Sequence, residues 1–309
     1  MQADRRGSAL GGRLAVDVRS SLEAVQPLEA VAAVELGLGL GTVLFGWRRS
    51  VRGPSATMPG MVGRLAGQAA LITGASSGLG RATATALARA GAAVALVARS
   101  TSDLGGAAEA LAAEGQAALP IACDLADAAG IERAVEQVGR ELGPVRVLVN
   151  AAGTDAPGPL AELEVEAWDR VLAVNLRAVF LLCRLVVPGM VSAGGGTIVN
   201  VSSVAGRRGW ANASAYCASK FALTGLTQAL GAEVRPHGVR ACVLYPGAMA
   251  THWGAWTAEE RPARTGERPP NEALPPDRVA AFIAWIATAP PEVVVDEAIV
   301  TPLEEQGWP

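Results

Sequence analysis

A tyrosine and a lysine four residues apart are the strongest candidates for chemistry in this sequence. Lys220 is the single lysine among 26 basic residues, and the rest are arginine. Arginine serves equally well as a surface charge, but it cannot replace a compact ammonium group beside a titrating side chain. Because residues i and i+4 lie on one face of a helix, we expect Tyr216 and Lys220 to point into the same cleft.

Together these two side chains could act as an acid/base pair. A phenol has an ordinary pKa of about 10, so it is a weak base at neutral pH. An adjacent ammonium group favours the phenolate, and Lys220 is therefore expected to lower the pKa of Tyr216 towards the working range. The spacing alone leaves a second interpretation open, in which Tyr216 is a half-buried helix aromatic and Lys220 is a lysine retained by chance.

A glycine-rich segment follows the first predicted strand, at residues 69–73, and precedes a helix predicted at 81–90. Glycine allows the backbone to turn tightly and to approach a pyrophosphate closely. The N–H groups and dipole of the helix start then meet the negative charge of that group. The segment predicts a dinucleotide site formed by Gly74, Ser76, Ser77, Gly78, Leu79 and Gly80.

Apolar strands alternate with helices along the rest of the chain. Further strands are predicted at residues 92–98, 117–121, 145–150, 197–202, 239–245 and 293–300. Further helices are predicted at residues 107–114, 131–142, 168–191, 214–235 and 279–287. Continuous apolar strands that alternate with helices indicate a parallel sheet covered on both faces. The predicted fold is α/β, a doubly wound parallel sheet (Rossmann fold) of about seven strands with helices on both faces.

The T-G-x-x-x-G-x-G spacing at residues 73–80 resembles the short-chain dehydrogenase/reductase family, and the resemblance extends over roughly residues 63–299. Further motifs of that family follow in order. They are Asp124-Leu125 after the third strand, Asn150-Ala151-Ala152-Gly153 after the fourth, Asn175 in the long helix, Ser202-Ser203 after the fifth, the Y-x-x-x-K pair of Tyr216 and Lys220, and Pro246-Gly247 with Thr251 after the sixth.

This resemblance implies an oxidoreductase that transfers a hydride between NADP(H) and an alcohol/carbonyl substrate. Tyr216 would be the acid/base, and Lys220 would also hydrogen-bond the nicotinamide ribose. Ser203, at the family's usual distance before the tyrosine, would donate to the substrate oxygen as negative charge develops there. Asn175 would hold a water that links Lys220 to solvent. A non-catalytic NADP-binding regulatory protein on the same fold is the alternative.

The resemblance also implies the contacts with the cofactor and the assembly of the protein. A homodimer or homotetramer is expected. The implied cofactor contacts are Gly74, Ser76, Ser77, Gly78, Leu79, Gly80, Arg99, Asp124, Leu125, Asn150, Ala151, Gly153, Tyr216, Lys220, Pro246, Gly247 and Thr251.

The end of the second predicted strand favours NADP(H) over NAD(H). An acidic residue there would accept the two ribose hydroxyls of NAD and repel a 2′-phosphate. Ala98 stands at that position, and Arg99 follows it. Arginine can bind a phosphate through charge-assisted hydrogen bonds. The competing interpretation is that Arg99 ends a strand in solvent.

Composition excludes several other classes of function. The net charge of −3 gives no electrostatic basis for binding nucleic acid. The four cysteines and two histidines show no metal-ligand spacing, so no metal site is expected, and reduced thiols in a cytoplasmic protein are the simplest interpretation.

The chain is expected to divide at residue 61. Residues 61–309 form the oxidoreductase domain, and residues 1–60 are an extension that is poorly ordered or weakly associated with a membrane through residues 28–46. The segment 248–276, which contains Trp253 and Trp256, has a composition typical of a mobile lid over the substrate.

Overall fold

The structure is a computed structural model that describes residue 61, residues 63–251 and residues 273–304. The predicted extension at residues 1–60, with its membrane alternative, lies outside the described residues. The same is true of residues 252–272, the middle of the expected lid, with both of its tryptophans.

A single parallel sheet of seven strands forms the centre of the described chain, and helices alternate with the strands. The strands are β1 (Ala69–Thr73), β2 (Ala93–Ala98), β3 (Ala118–Ala122), β4 (Val145–Asn150), β5 (Gly196–Val201), β6 (Val239–Pro246) and β7 (Glu297–Val300). The helices are α1 (Gly78–Arg89), α2 (Thr101–Ala113), α3 (Ala128–Glu141), α4 (Val165–Leu172), α5 (Ala178–Ser192), α6 (Ser214–Val234) and α7 (Pro276–Thr288). The predicted doubly wound α/β fold is confirmed.

The order of the strands places a crevice at the centre of the sheet. The order is β3-β2-β1-β4-β5-β6-β7, so the chain runs outward from β1 in one direction and then returns to start again at β4. In sheets of this kind, ligands bind outside the carboxyl ends of the strands where the order reverses. The turns after β1 and β4 meet at this point.

Side chains that alternate along each strand bury two apolar layers. On one face, Ala70 and Ile72 pack with Leu87 of α1 and Ile283 of α7. On the other face, Leu71 packs with Leu182 of α5 and with residues of α3 and α6. The apolar character of α5 is therefore that of a helix packed in the core.

Among the elements that differ from their predicted bounds, three show a local cause. Helix α2 begins at Thr101 because the Ser100 hydroxyl accepts a hydrogen bond from the N–H of Asp103, at 3.3 Å, and caps the helix. Strand β7 is shorter than predicted, since Val293 closes a turn with the carbonyl of Pro290. The long predicted helix consists of α4 and α5 joined by one π-turn at Ala173–Arg177.

Candidate active site

Two glycines allow the turn after β1 to approach its neighbours closely. Gly74 has a φ of +70°, and a Cβ there would lie 2.9 Å from the main chain of Ala152 in the turn after β4. A Cβ on Gly80 would lie 2.2 Å from the carbonyl oxygen of Gly74, so α1 could not begin this close to the strand. The first turn of α1 contains no acidic residue, and no side chain caps it. Its N–H groups are available to an anionic ligand.

A cleft of about 640 Å³ runs along the carboxyl ends of the strands, from Arg99 after β2 to Lys220 on α6. Most of the residues predicted to bind the cofactor line it: Gly74, Ser76, Ser77, Gly78, Leu79, Gly80, Arg99, Asp124, Leu125, Ala151, Gly153, Lys220 and Thr251. Several residues for which the sequence predicts no cofactor contact also line it: Ser100, Asp103, Cys123, Ala152, Thr154, Arg170, Val174, Val201, Ser202 and Met249.

The side chain of Asn150 is buried away from the cleft, so its expected contact with the cofactor stays a prediction that only its main chain could fulfil. Its Nδ2 donates to the Oδ1 of Asn200 on β5 at 2.8 Å, and Asn200 in turn donates to Thr227 on α6 at 2.9 Å. Alternation along β4 directs this side chain into the layer below the sheet. Pro246 and Gly247 do not line the cleft either, and the Gly247 N–H donates to the carbonyl of Val300 at 2.9 Å.

The structure brings Tyr216 and Ser203 together beside Lys220, which lines one end of the cleft. Tyr216, which is also a predicted cofactor contact, and Ser203 do not line the cleft themselves. The Lys220 ammonium lies 5.6 Å from the centre of the Tyr216 ring, and it donates to the carbonyl of Val201 at the end of β5, at 2.9 Å. A hydrogen bond joins the side chains of Ser203 and Tyr216. Ser202 is buried instead and donates to the main-chain carbonyl of Lys220 at 3.2 Å. Ser203 is therefore the serine that contacts the phenol.

Burial controls the ionisation of this pair. It lowers the pKa of Lys220 from 10.5 to about 8. It raises the pKa of Tyr216, and the negative charge of Asp155 adds to the rise, whereas the hydrogen bond from Ser203 opposes it. The pKa of Tyr216 is therefore raised overall, and the prediction that Lys220 brings it down towards neutral pH is wrong. The ammonium lies over the ring, is bonded to Val201, and is itself destabilised by burial.

Asn175 fixes the loop after β4 to helix α6. Its Oδ1 accepts from the N–H of Thr154 at 2.8 Å, and its Nδ2 donates to the carbonyl of Thr154 at 2.8 Å and to Ser219 at 3.0 Å. The Ser219 hydroxyl then donates to the carbonyl of Tyr216 at 2.7 Å. The π-turn that carries Asn175 is a distortion often found at functional sites. Both amide hydrogens are used here, and the expected role in holding a water stays a prediction.

Asp124 forms an ion pair that no local pattern in the sequence indicates. The Arg170 guanidinium on α4 donates to both of its carboxylate oxygens, each at 3.0 Å. This contact holds the pKa of Asp124 below its ordinary value, and the charge of Arg99 contributes to the same effect. Both partners line the cleft, and the expected contact of Asp124 with the cofactor stays a prediction.

The site and the fold agree with a family-level match of the sequence. Residues 68–261 match the family described as short chain dehydrogenase. The chain belongs to the short-chain dehydrogenase/reductase family. As members of this family are dehydrogenases and reductases, the protein is an oxidoreductase of the nicotinamide-dependent type.

Two curated relatives illustrate the similarity in sequence. The D-threitol dehydrogenase of Mycolicibacterium smegmatis is 38% identical over 227 residues, which cover 73% of this chain and 87% of the relative. The L-xylulose reductase of Bos taurus is 39% identical over 201 residues, which cover 64% of this chain and 79% of the relative.

Two solved structures illustrate the similarity in fold. A metagenomic short-chain oxidoreductase in complex with NADP is 35% identical, with a TM-score of 0.68, and the match covers 78% of this chain and all of that one. The L-sorbose reductase of Gluconobacter frateurii, complexed with NADPH and L-sorbose, is 30% identical with a TM-score of 0.71. That match covers 77% of this chain and 96% of the reductase.

Proposed function

We propose that this protein transfers a hydride between NADP(H) and an alcohol or carbonyl substrate, with Tyr216 as the acid/base. The observation that carries the proposal is the contact of Ser203 with the Tyr216 phenol beside the buried Lys220, at the end of a cleft with a glycine-rich turn. A buried lysine with a strongly lowered pKa beside a buried phenol is costly for stability alone, and such costs concentrate at functional sites.

Each side chain has a distinct task in this proposal. In reduction, Tyr216 donates its proton to the substrate oxygen, which its raised pKa permits at neutral pH. Ser203 is hydrogen-bonded to the phenol of Tyr216, and it can also donate to the substrate oxygen as negative charge develops there. Lys220 supplies a positive charge that solvent screens poorly, because its side chain is buried. Asn175 positions the loop that faces them.

The cleft provides groups that suit a nicotinamide dinucleotide phosphate, which supplies or accepts the hydride when bound. The glycine-rich turn and the uncapped start of α1 would hold the pyrophosphate. Arg99 would bind the 2′-phosphate through charge-assisted hydrogen bonds. Asp103, in the first turn of α2, lines the same end, so the preference for NADP(H) requires that Arg99 outweigh its charge.

The relatives suggest which substrates to test first. Their names specify threitol, xylulose and sorbose, which are polyols or ketoses. The first experiment is a screen of NADPH and NADH oxidation with ketoses, simple ketones and aldehydes, together with the variant Lys220→Arg. Turnover with NADPH is expected, and the variant should lose most of it because a guanidinium keeps the charge without the compact geometry. Absence of hydride transfer with every carbonyl compound would favour the non-catalytic NADP-binding protein.

A further inference from the structure

A carboxylate follows directly after residues that line the cleft, on the loop after β4. Gly153 and Thr154 line the cleft, and Asp155 follows them directly. The main chain of Thr154 is fixed on both sides by Asn175, each hydrogen bond being 2.8 Å long. The negative charge of Asp155 acts on the phenol of Tyr216, so the carboxylate lies within electrostatic reach of the reacting group.

Few contacts within the described residues stabilise the carboxylate of Asp155. Asp155 is partly buried, and burial raises its pKa. Its Oδ1 accepts from the N–H of the next residue, Ala156, at 2.7 Å. Within residues 63–251 and 273–304, no arginine or lysine forms an ion pair with it, and the short helical turn that follows starts only at Leu160. A half-buried carboxylate without a cation costs stability, which a bound ligand can restore.

We infer that Asp155 is a specificity-determining residue that accepts hydrogen bonds from the hydroxyl groups next to the reacting carbon of a polyhydroxylated substrate. A carboxylate offers two acceptor oxygens and no donor, which suits a pair of adjacent hydroxyls, as acidic residues show when they bind a ribose. A ketone without hydroxyl groups would bury the carboxylate and offer no hydrogen-bond donor to its oxygens. The inference rests on the proposed function, and it narrows the substrate to polyols and ketoses.

A cationic substrate is the main rival for the same carboxylate. An amino ketone would bring a second ammonium group to a site where the Lys220 ammonium already lies 5.6 Å from the Tyr216 ring. Like charges in a buried site repel strongly, because solvent screens them poorly. Hydroxyl groups satisfy Asp155 without this repulsion, and we therefore favour them.

The test uses the full chain and pairs of substrates that differ only in hydroxyl groups. Each ketose (erythrulose, L-xylulose, L-sorbose) is compared with the methyl ketone and with an amino ketone of the same carbon count, under saturating NADPH. Asp155→Asn removes the charge, Asp155→Leu removes the acceptors, and Glu162→Gln is the control that removes an exposed carboxylate from the same loop. Cofactor binding, followed by NADPH fluorescence, and thermal melting are measured for each variant to show that it is folded.

We expect both Asp155 variants to lower kcat/KM for the best ketose by about ten- to a hundredfold, the loss typical of a hydrogen bond to a charged group. The change should fall mainly on KM, and the methyl ketone should be affected much less, or should gain in the leucine variant. The control should leave both substrates unchanged.

Several results would overturn the inference. These are equal losses on both substrates, no loss on the ketose, or a selective loss on an amino ketone alone. A wild type that reduces methyl ketones but no ketose would refute the inference while leaving the proposed function intact. A wild type that transfers no hydride from NADPH to any carbonyl compound would refute both.

Discussion

Replacing Lys220 with methionine should stabilise the folded protein while removing its activity. The side chain is only 3% exposed, and burial lowers its pKa from 10.5 to about 8. Each tenfold change in a proton equilibrium corresponds to about 1.4 kcal/mol, so at neutral pH the buried ammonium costs the fold about 3 kcal/mol. Loss of the hydrogen bond to Val201 opposes this gain by about 1 kcal/mol. The net expectation at pH 7 is a gain of about 2 kcal/mol.

The sign of this effect depends on pH. Between pH 8 and pH 10.5, the unfolded wild-type chain holds a proton that the folded chain has released. Raising the pH through this window therefore favours the folded wild type, because the unfolded state binds more protons. The methionine variant has no such group. Its advantage in free energy of unfolding should be largest below pH 8 and should disappear as the pH approaches 10.5.

Denaturant unfolding of Lys220→Met and wild type, without added cofactor, at pH 7 and at pH 10 measures this directly. Comparing the two proteins at each pH cancels the ionisation of all other groups. Arg140→Met is the control, since Arg140 is an exposed charge in the last turn of α3. It should show a small difference that does not change with pH. An advantage of Lys220→Met that is equal at the two pH values, or absent at both, would refute the argument from burial.

Three further predictions concern cofactor choice and the framework of the site. Arg99→Ala should weaken NADPH binding by about ten- to a hundredfold and leave NADH binding almost unchanged, and Ala98→Asp should shift the preference further towards NADH. Michaelis constants for both cofactors test this. Equal losses for NADPH and NADH in Arg99→Ala would make Arg99 structural. Ser219→Ala removes an acceptor from the buried Asn175 amide, so the free energy of unfolding should fall by about 1–3 kcal/mol. The kcat should also fall, with little change in NADPH affinity. An unchanged kcat would contradict a positioning role. Gly80→Ala should abolish NADPH binding or prevent folding, because its Cβ would lie 2.2 Å from a main-chain oxygen; normal fluorescence titration would contradict this.

The parts of the site that the sequence predicts are those in which chemistry and spacing are local. Tyr216 and Lys220 lie one helical turn apart, and the three glycines of the turn after β1 all fall within residues 74–80. The alternation of strands and helices is likewise a local pattern, and it determined the fold. Here the prediction needs only the geometry of a helix or of a βα turn.

Contacts between segments that are distant in the chain could not be predicted from the sequence. Arg170 and Asp124 are 46 residues apart, and Asn175 and Ser219 are 44 apart. No pattern along the chain pairs them, since the packing of α4 and α6 against the sheet brings them together. The motif predicts a cofactor contact for Asn150, but it does not reveal that the side chain donates to Asn200 inside the core.

The pKa of Tyr216 could not be judged from sequence, because it depends on a balance. The lysine four residues away suggests a lowered pKa, whereas burial raises it. Only the folded structure shows that the ammonium lies 5.6 Å from the ring centre and donates to the carbonyl of Val201.

In the proposed reaction, Tyr216 exchanges the proton that accompanies hydride transfer. The most direct measurement is single-turnover transfer from NADPH deuterated at the reactive carbon to a reducible ketone, in wild type and in Tyr216→Phe. Tyr245→Phe is the matched control, because Tyr245 is the only other tyrosine and its hydroxyl contacts Glu297 at the far edge of the sheet.

We predict that deuterium appears on the carbinol carbon with wild type and with the control. Tyr216→Phe should transfer it at least about a hundredfold more slowly, the usual contribution of a general acid, while binding NADPH with unchanged affinity. Transfer by Tyr216→Phe at a rate near that of the wild type would contradict the account.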